Sequence, residues 1–309
     1  MTIPPAIGRP TARCRRSAMD ANPCWPKRLI LAAVLVAVVA LAVMPQAYAG
    51  ESIPRVQIPD TERRVLPSRF VDEEFKIHVY LPRDYPEKGR RYPVIYLLDA
   101  EYSFGCVAYV VRRLIKGREI PPAIVVGVSY EVPYEDFYRR RERDYTPSEA
   151  HLEEFPAAGH GPAFLQFLEK ELVPFVNATY ATEPDDRTLI GLSFSGLFST
   201  WVLFEHSEVI NRYVIISPSL WWDNGACFRY EEAYAKNHQS LRARVYLTAG
   251  ERDGRNIVKD VPRLIDRLES RSYEGLSLGG GLLEDETHRT IFPNAVTRGL
   301  RFVFKDRKP

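Results

Sequence analysis

From Lys76 onward, short runs rich in Val, Ile and Tyr alternate with segments of helical period, an order that admits few folds. Lys76–Leu81, Tyr92–Leu98 and Ile124–Val128 are bounded by Pro or Gly, and the last two are apolar almost throughout, as strands covered on both faces must be. Between Ala163 and Tyr180, Phe164, Phe167, Leu168, Leu172 and Phe175 fall on one helical face. Strands are expected at Arg187–Ile190, Tyr213–Ser217, Val245–Ala249 and about Leu276–Leu283. Helices are expected from Phe194 to about His206, from about Asp260 to Ser270 with Pro262 in its first turn, and from Pro293 to about Lys305. Such alternation predicts an α/β chain with a mostly parallel central sheet and helices on both faces. The charged, aromatic stretch from Tyr130 to Gly161 reads as a long loop over that sheet.

One stretch carries chemistry. Arg187–Ile190 runs into Gly191-Leu192-Ser193-Phe194-Ser195-Gly196 and then directly into the helix. A serine on a sharp, strained strand-to-helix turn needs small neighbours two residues before and after it, which Gly191 and Ser195 supply. The following helix offers backbone N–H groups and a positive dipole end to a developing oxyanion. Ser193 is therefore the candidate nucleophile, and Ser195 the rival whose flanks fit less well. Glycine is usual where Ser195 stands.

Of the six histidines (78, 151, 160, 206, 238 and 288), only His288 follows the final strand, where the base of such a site belongs. His151 and His160, in the long loop, could line the site. Gly250-Glu251-Arg252-Asp253 ends the strand Val245–Ala249 and offers two carboxylates. Asp253 is the preferred acid, to orient the His288 imidazole, and Glu251 the runner-up. The chain order Ser193, Asp253, His288 is that of α/β-hydrolases.

Tyr96-Leu97-Leu98-Asp99-Ala100, Arg143-Asp144-Tyr145-Thr146-Pro147, the serine turn, Ser217-Pro218-Ser219-Leu220-Trp221-Trp222 and Thr287-His288 occur in this order. Together they resemble the esterase-D-type esterases over residues 65–305, with the periplasmic siderophore-esterase-like members closest in character. The resemblance implies an α/β-hydrolase fold and a serine carboxylesterase that uses neither metal nor organic cofactor. It places an oxyanion donor at the backbone N–H of Ala100 or Glu101, paired with that of Phe194. Tyr102, Phe104, Tyr130, Tyr134, Phe137, Trp221 and Trp222 are the candidate aromatic substrate contacts, with a core aromatic pair as the other reading of the two tryptophans. The implied substrate is a small-molecule ester, a siderophore trilactone or an aromatic ester. Acyl transfer on the same fold, or a catalytically silent binding protein, stays open beside hydrolysis. Arg143-Asp144 reads as an ion pair anchoring the long loop.

The amino-terminal segment is a separate matter. Leu29–Met44 is uncharged and apolar, follows Lys27-Arg28 and precedes Ala47-Tyr48-Ala49. Residues 1–49 thus read as a signal peptide cleaved after Ala49, for a periplasmic or secreted product, rather than a retained anchor. The apolar run is shorter than the ~20 residues that span a bilayer. Met19 is an alternative start, and residues 50–64 read as an extended lead-in. Six of the 42 Lys/Arg but one of the 40 Asp/Glu lie in 1–49, leaving a net charge of −3 beyond it. A mildly acidic body argues against nucleic acid as a partner. Cys106 and Cys227 could pair in an exported chain or stand as free thiols. No zinc-type spacing of Cys or His is present.

Overall fold

The computed structural model describes residues 56–150 and 153–307. The expected signal peptide, the first part of the lead-in and His151 lie outside them. Eight strands form one sheet: β1 (Thr61–Ser68), β2 (Glu73–Tyr80), β3 (Tyr92–Leu97), β4 (Ile124–Ser129), β5 (Thr182–Leu192), β6 (Arg212–Ile216), β7 (Arg244–Gly250) and β8 (Ser277–Leu283). Their spatial order is β1-β2-β4-β3-β5-β6-β7-β8. β1 pairs with β2, and β2 with β4, antiparallel; every later pairing is parallel. β1 begins inside the stretch read as lead-in. Its sequence, Thr-Glu-Arg-Arg-Val-Leu-Pro-Ser, is polar and contains Pro67, as suits an edge strand.

Helices α1 (Ala100–Lys116), α2 (Tyr134–Tyr145), α3 (Gly161–Phe167), α4 (Val173–Thr179), α5 (Phe194–Glu205), α6 (Trp222–Asn237), α7 (Arg255–Arg271) and α8 (Ile291–Val303) surround the sheet. The period-2 alternation of the strands sorts the core into two layers. Ile95, Leu97, Ile190, Val214 and Ile216 face α1 and α8, packing on Val107, Val111, Val296 and Leu300. Val94, Tyr96, Leu189, Tyr213 and Ile215 face the other layer, with Phe164, Phe198, Trp201 and Leu264.

Several expectations are corrected. Tyr130–Gly161 is not all loop, because α2 lies within it. The buried face of α2 is Phe137, Arg141, Glu142, Asp144 and Tyr145, so charged residues stand where apolar ones would mark a helix. The single helix expected over 163–180 is two, joined by a π turn at Leu168–Leu172. Pro174, just beyond, has no N–H to give to the preceding turn, and the wider turn accommodates its ring. Pro262 lies inside α7 rather than in its first turn, since the helix starts at Arg255, where the Ile257 and Val258 N–H groups bond Gly254 O. Two further helices, α1 and α6, occupy stretches the sequence pattern left unassigned.

Candidate active site

Strand β5 ends at Leu192 and α5 begins at Phe194, so Ser193 is the whole turn. It sits at φ 64°, ψ −116°, a conformation a side-chain-bearing residue holds only when its surroundings impose it. Two contacts impose it. The Ser193 N–H bonds Ile216 O at 3.0 Å, and Ser193 O accepts the Ser219 N–H at 3.1 Å. The chain then doubles back so tightly that a Cβ on Gly191 would lie 2.2 Å from Ser195 O. Only glycine fits there.

Ser195 is fully buried and cannot meet a substrate. Its hydroxyl accepts the Leu192 N–H at 2.8 Å and donates to Asp99 Oδ2 at 2.7 Å. The serine in place of the usual glycine thus has a structural occupation.

Asp253 follows β7 and His288 follows β8, so both side chains rise from the carboxyl edge of the sheet, as Ser193 does. His288 Nδ1 lies 2.7 Å from Asp253 Oδ1. Asp253 Oδ2 accepts the Ser217 hydroxyl at 2.5 Å and the Gly250 N–H at 3.1 Å. Burial works to raise the Asp253 carboxyl, but His288, Ser217 and Gly250 together bring it below the usual carboxylate value. Ser217 itself is buried at φ 43°, which aims its hydroxyl under the carboxylate. Glu251 points elsewhere: it is exposed and accepts the Asp285 N–H at 3.4 Å.

The loop bearing His288 is pinned on both sides. Arg252 N–H bonds Glu286 O at 2.9 Å, and the Glu286 carboxylate takes Thr290 Oγ1 at 2.6 Å and Asn294 Nδ2 at 3.0 Å. Those two hydrogen bonds lower the Glu286 carboxyl. The loop crosses so close that a Cβ on Gly250 would sit 2.3 Å from Glu286 O. Ser193 Oγ has Ser219 Oγ at 3.5 Å as its polar side-chain neighbour and makes no hydrogen bond to His288 in this state.

Asp99, at φ 56°, turns β3 into α1, leaving the Ala100 and Glu101 N–H groups at a helix start where no intrahelical acceptor reaches them. The Glu101 carboxylate accepts the Tyr130 and Glu131 N–H groups; burial pushes it up, and the bonds from the Tyr130 N–H and from its own N–H oppose the rise. The Phe194 N–H stands in the same position at the start of α5.

The aromatic candidates divide. Tyr102 is exposed, with its edge against Phe137 at 5.0 Å, and Trp221 is half-buried beside Phe194 and Phe155. Phe104 is buried against His78, and Trp222 is fully buried with Nε1 donating to Ser148 O at 3.2 Å. Both belong to the core, as do Tyr130 and Phe137. Tyr134 and Tyr138 are exposed and in hydroxyl contact at 3.0 Å; Tyr138, which the sequence reading passes over, sits one helical turn after Tyr134. His160 precedes α3 and is exposed. Cys106 and Cys227 are free thiols, and burial pushes Cys227 up. Among the described residues no three His, Cys, Asp or Glu side chains converge as a metal site.

The chain is similar to known proteins over most of its length. A family model described as "Putative esterase" matches residues 68–272. Ferri-bacillibactin esterase BesA of Bacillus subtilis (strain 168) is 31% identical over 272 residues, spanning 82% of this chain and 92% of that protein. The siderophore triacetylfusarinine C esterase of Aspergillus fumigatus is 30% identical over 190 residues, 59% of this chain and 63% of its own. The crystal structure of BES protein from Bacillus cereus superposes with a TM-score of 0.73 at 29% identity, covering 82% of this chain and 99% of that one. An IroE-like serine hydrolase from Shewanella oneidensis gives 0.71 at 25% identity, covering 80% of each. With its mostly parallel eight-stranded sheet and this length of match, the chain belongs to the esterase family of the α/β-hydrolase fold.

Proposed function

We propose that this chain is an exported serine esterase that cleaves ester bonds of a siderophore by way of an acyl-enzyme on Ser193. The observation that supports this most is the Asp253–His288 contact of 2.7 Å at the sheet edge where the strained Ser193 turn emerges. The names of the relatives above supply the substrate class.

In this reading Ser193 Oγ attacks the ester carbonyl carbon while its proton passes to His288 Nε2. The carbonyl oxygen becomes an oxyanion held by the Phe194 N–H and by that of Ala100 or Glu101. The C–O bond then breaks, and the leaving alkoxide takes the proton from His288. Water repeats the sequence on the acyl-enzyme, releasing the acid and restoring Ser193. Asp253, kept ionised, holds Nδ1–H and therefore leaves Nε2 free to accept. The Ser193–His288 hydrogen bond of this reading forms in the substrate complex, where catalytic hydrogen bonds tighten. Residues 1–49 act as the export signal. Exposed Tyr102, Tyr134 and Tyr138 and half-buried Trp221 offer aromatic surface to the substrate.

Ser217 extends the relay. Hydrogen bonds to charged groups are worth ~1.5–3 kcal/mol, so Ser217→Ala is expected to lower kcat by about 10- to 100-fold. KM should change little, while the lost bond should lower the melting temperature by several degrees, which steady-state kinetics and thermal unfolding will check.

Turnover of a panel of siderophore trilactones, hydroxycinnamoyl sugars and simple acyl esters by the purified protein tests the substrate class. Preferential cleavage of a trilactone is expected. Preference for simple acyl esters would refute the siderophore assignment, and diversion of product to an added alcohol would favour acyl transfer.

A further inference from the structure

Strands β3 and β5 are parallel neighbours, and the last backbone hydrogen bond between them runs from the Leu98 N–H to Ile190 O at 3.1 Å. Beyond it the two chains part. One turns left-handed at Asp99 into α1, the other turns at Ser193 into α5. The proposed oxyanion lies between these turns, with one donor from each. No backbone bond crosses the gap, so nothing in the strand ladder fixes its width.

Side chains cross it instead. Ser195 Oγ, bonded to the Leu192 N–H, donates to Asp99 Oδ2 at 2.7 Å. Arg141 forks onto the same carboxylate, Nε to Oδ1 at 2.6 Å and Nη2 to Oδ2 at 2.9 Å. Nη2 also reaches Leu192 O at 3.4 Å, on the far side of the gap. The Arg141 side chain is 10% exposed and that of Asp99 14%, while Ser195 is wholly buried. Rings of Phe137, Tyr138, Tyr145 and Phe194 lie within 6.0 Å of the guanidinium carbon. Arg141 is therefore already engaged and screened from a substrate.

We propose that Asp99, Arg141 and Ser195 are positioning residues that hold the two halves of the oxyanion hole at a fixed spacing. The proposal rests on the esterase reading above. It explains why this chain carries serine where a glycine is usual: glycine at that position would keep the turn but lose the strut. It also explains the paired charges, because an unneutralised Asp99 beside a developing oxyanion would oppose the reaction.

Ser195→Ala and Asp99→Asn test this. An ester substrate reports kcat and KM, and an alkylboronic acid reports oxyanion binding. The boronate adds to Ser193 Oγ without losing a group, its proton passing to His288, and becomes a tetrahedral anion. Misplacing an oxyanion donor is expected to lower kcat about 10- to 100-fold and to weaken the boronate by the same factor, with KM little changed. A purely structural role would not move boronate affinity in step with kcat. A purely electrostatic role for Asp99 would give the opposite sign, since removing its charge would tighten the boronate. Retention of parental kcat and boronate affinity by Ser195→Ala would overturn the proposal, as would tighter boronate binding by Asp99→Asn. If near-ultraviolet circular dichroism shows that Asp99→Asn has not folded, Ser195→Ala, which keeps the ion pair, decides alone. A parent protein that neither turns over ester nor binds boronate would refute the esterase reading, and this proposal with it.

Discussion

Ser193→Ala and His288→Ala are each expected to lower kcat by about 10⁶-fold, and combining them should add little, because the two act as a unit. Asp253→Asn should cost about 10³–10⁴-fold, since an amide beside Nδ1 lets the imidazole take the wrong tautomer while the fold persists. Glu251→Gln is the control. That side chain is exposed and serves only the Asp285 N–H, so its loss should leave kcat unchanged. Initial rates on one chromogenic ester measure all four. Greater damage from Glu251→Gln than from Asp253→Asn would reverse the assignment of the acid. If neither mattered, the site would be a Ser193–His288 dyad oriented by some other group.

Asp144→Ala is expected to remove ~3–5 kcal/mol of stability, the usual result of breaking a buried ion pair from one side. Asp144 is fully buried and takes Arg143 Nε at 2.7 Å, Arg143 Nη2 at 3.0 Å and the Tyr130 hydroxyl at 2.7 Å. Burial pushes its carboxyl up, against the lowering by Arg143 and Tyr130. Without Asp144, the Tyr130 hydroxyl loses its carboxylate acceptor and Arg143 keeps only Glu73, at 3.5 Å. For a domain of this size the loss corresponds to a fall of about 10 °C or more in the melting temperature. Tyr130→Phe removes one of these bonds and should cost about 1.5–3 kcal/mol. Calorimetry separates the two, and an unchanged melting temperature in Asp144→Ala would show that the pair carries no stability.

The sheet was legible because its central strands, such as Tyr92–Leu97 and Ile124–Ser129, are buried on both faces and so read as unbroken apolar runs. The Ser193 turn was legible because its geometry excludes all but small flanking residues. Helix α2 was not, and the reason is physical. Its inner face is built from Arg141, Glu142 and Asp144, whose charges are met by the Asp99 carboxylate, the Ala157 N–H, and Arg143 with the Tyr130 hydroxyl, in that order. Hydropathy sees the charges and not the partners. Helix α1 carried a readable spacing at Phe104, Val107, Val111 and Leu114, although Phe104 belongs to that helix's packing face and not to a substrate surface. Trp222 misled similarly, since an aromatic pair gives no sign of which ring points inward; here only Trp221 retains exposure. The link from Ser195 to Asp99 spans 96 residues and leaves no local pattern at all.

The most direct test of the account is where a phosphonate serine probe attaches. A fluorophosphonate loses fluoride to the nucleophilic oxygen, and the labelled peptide is read by mass spectrometry. The account predicts one label per chain, on Ser193, abolished in Ser193→Ala and strongly slowed in His288→Ala. Labelling of Ser195 or Ser219 instead, or no label on a folded protein that still turns over ester, would contradict it.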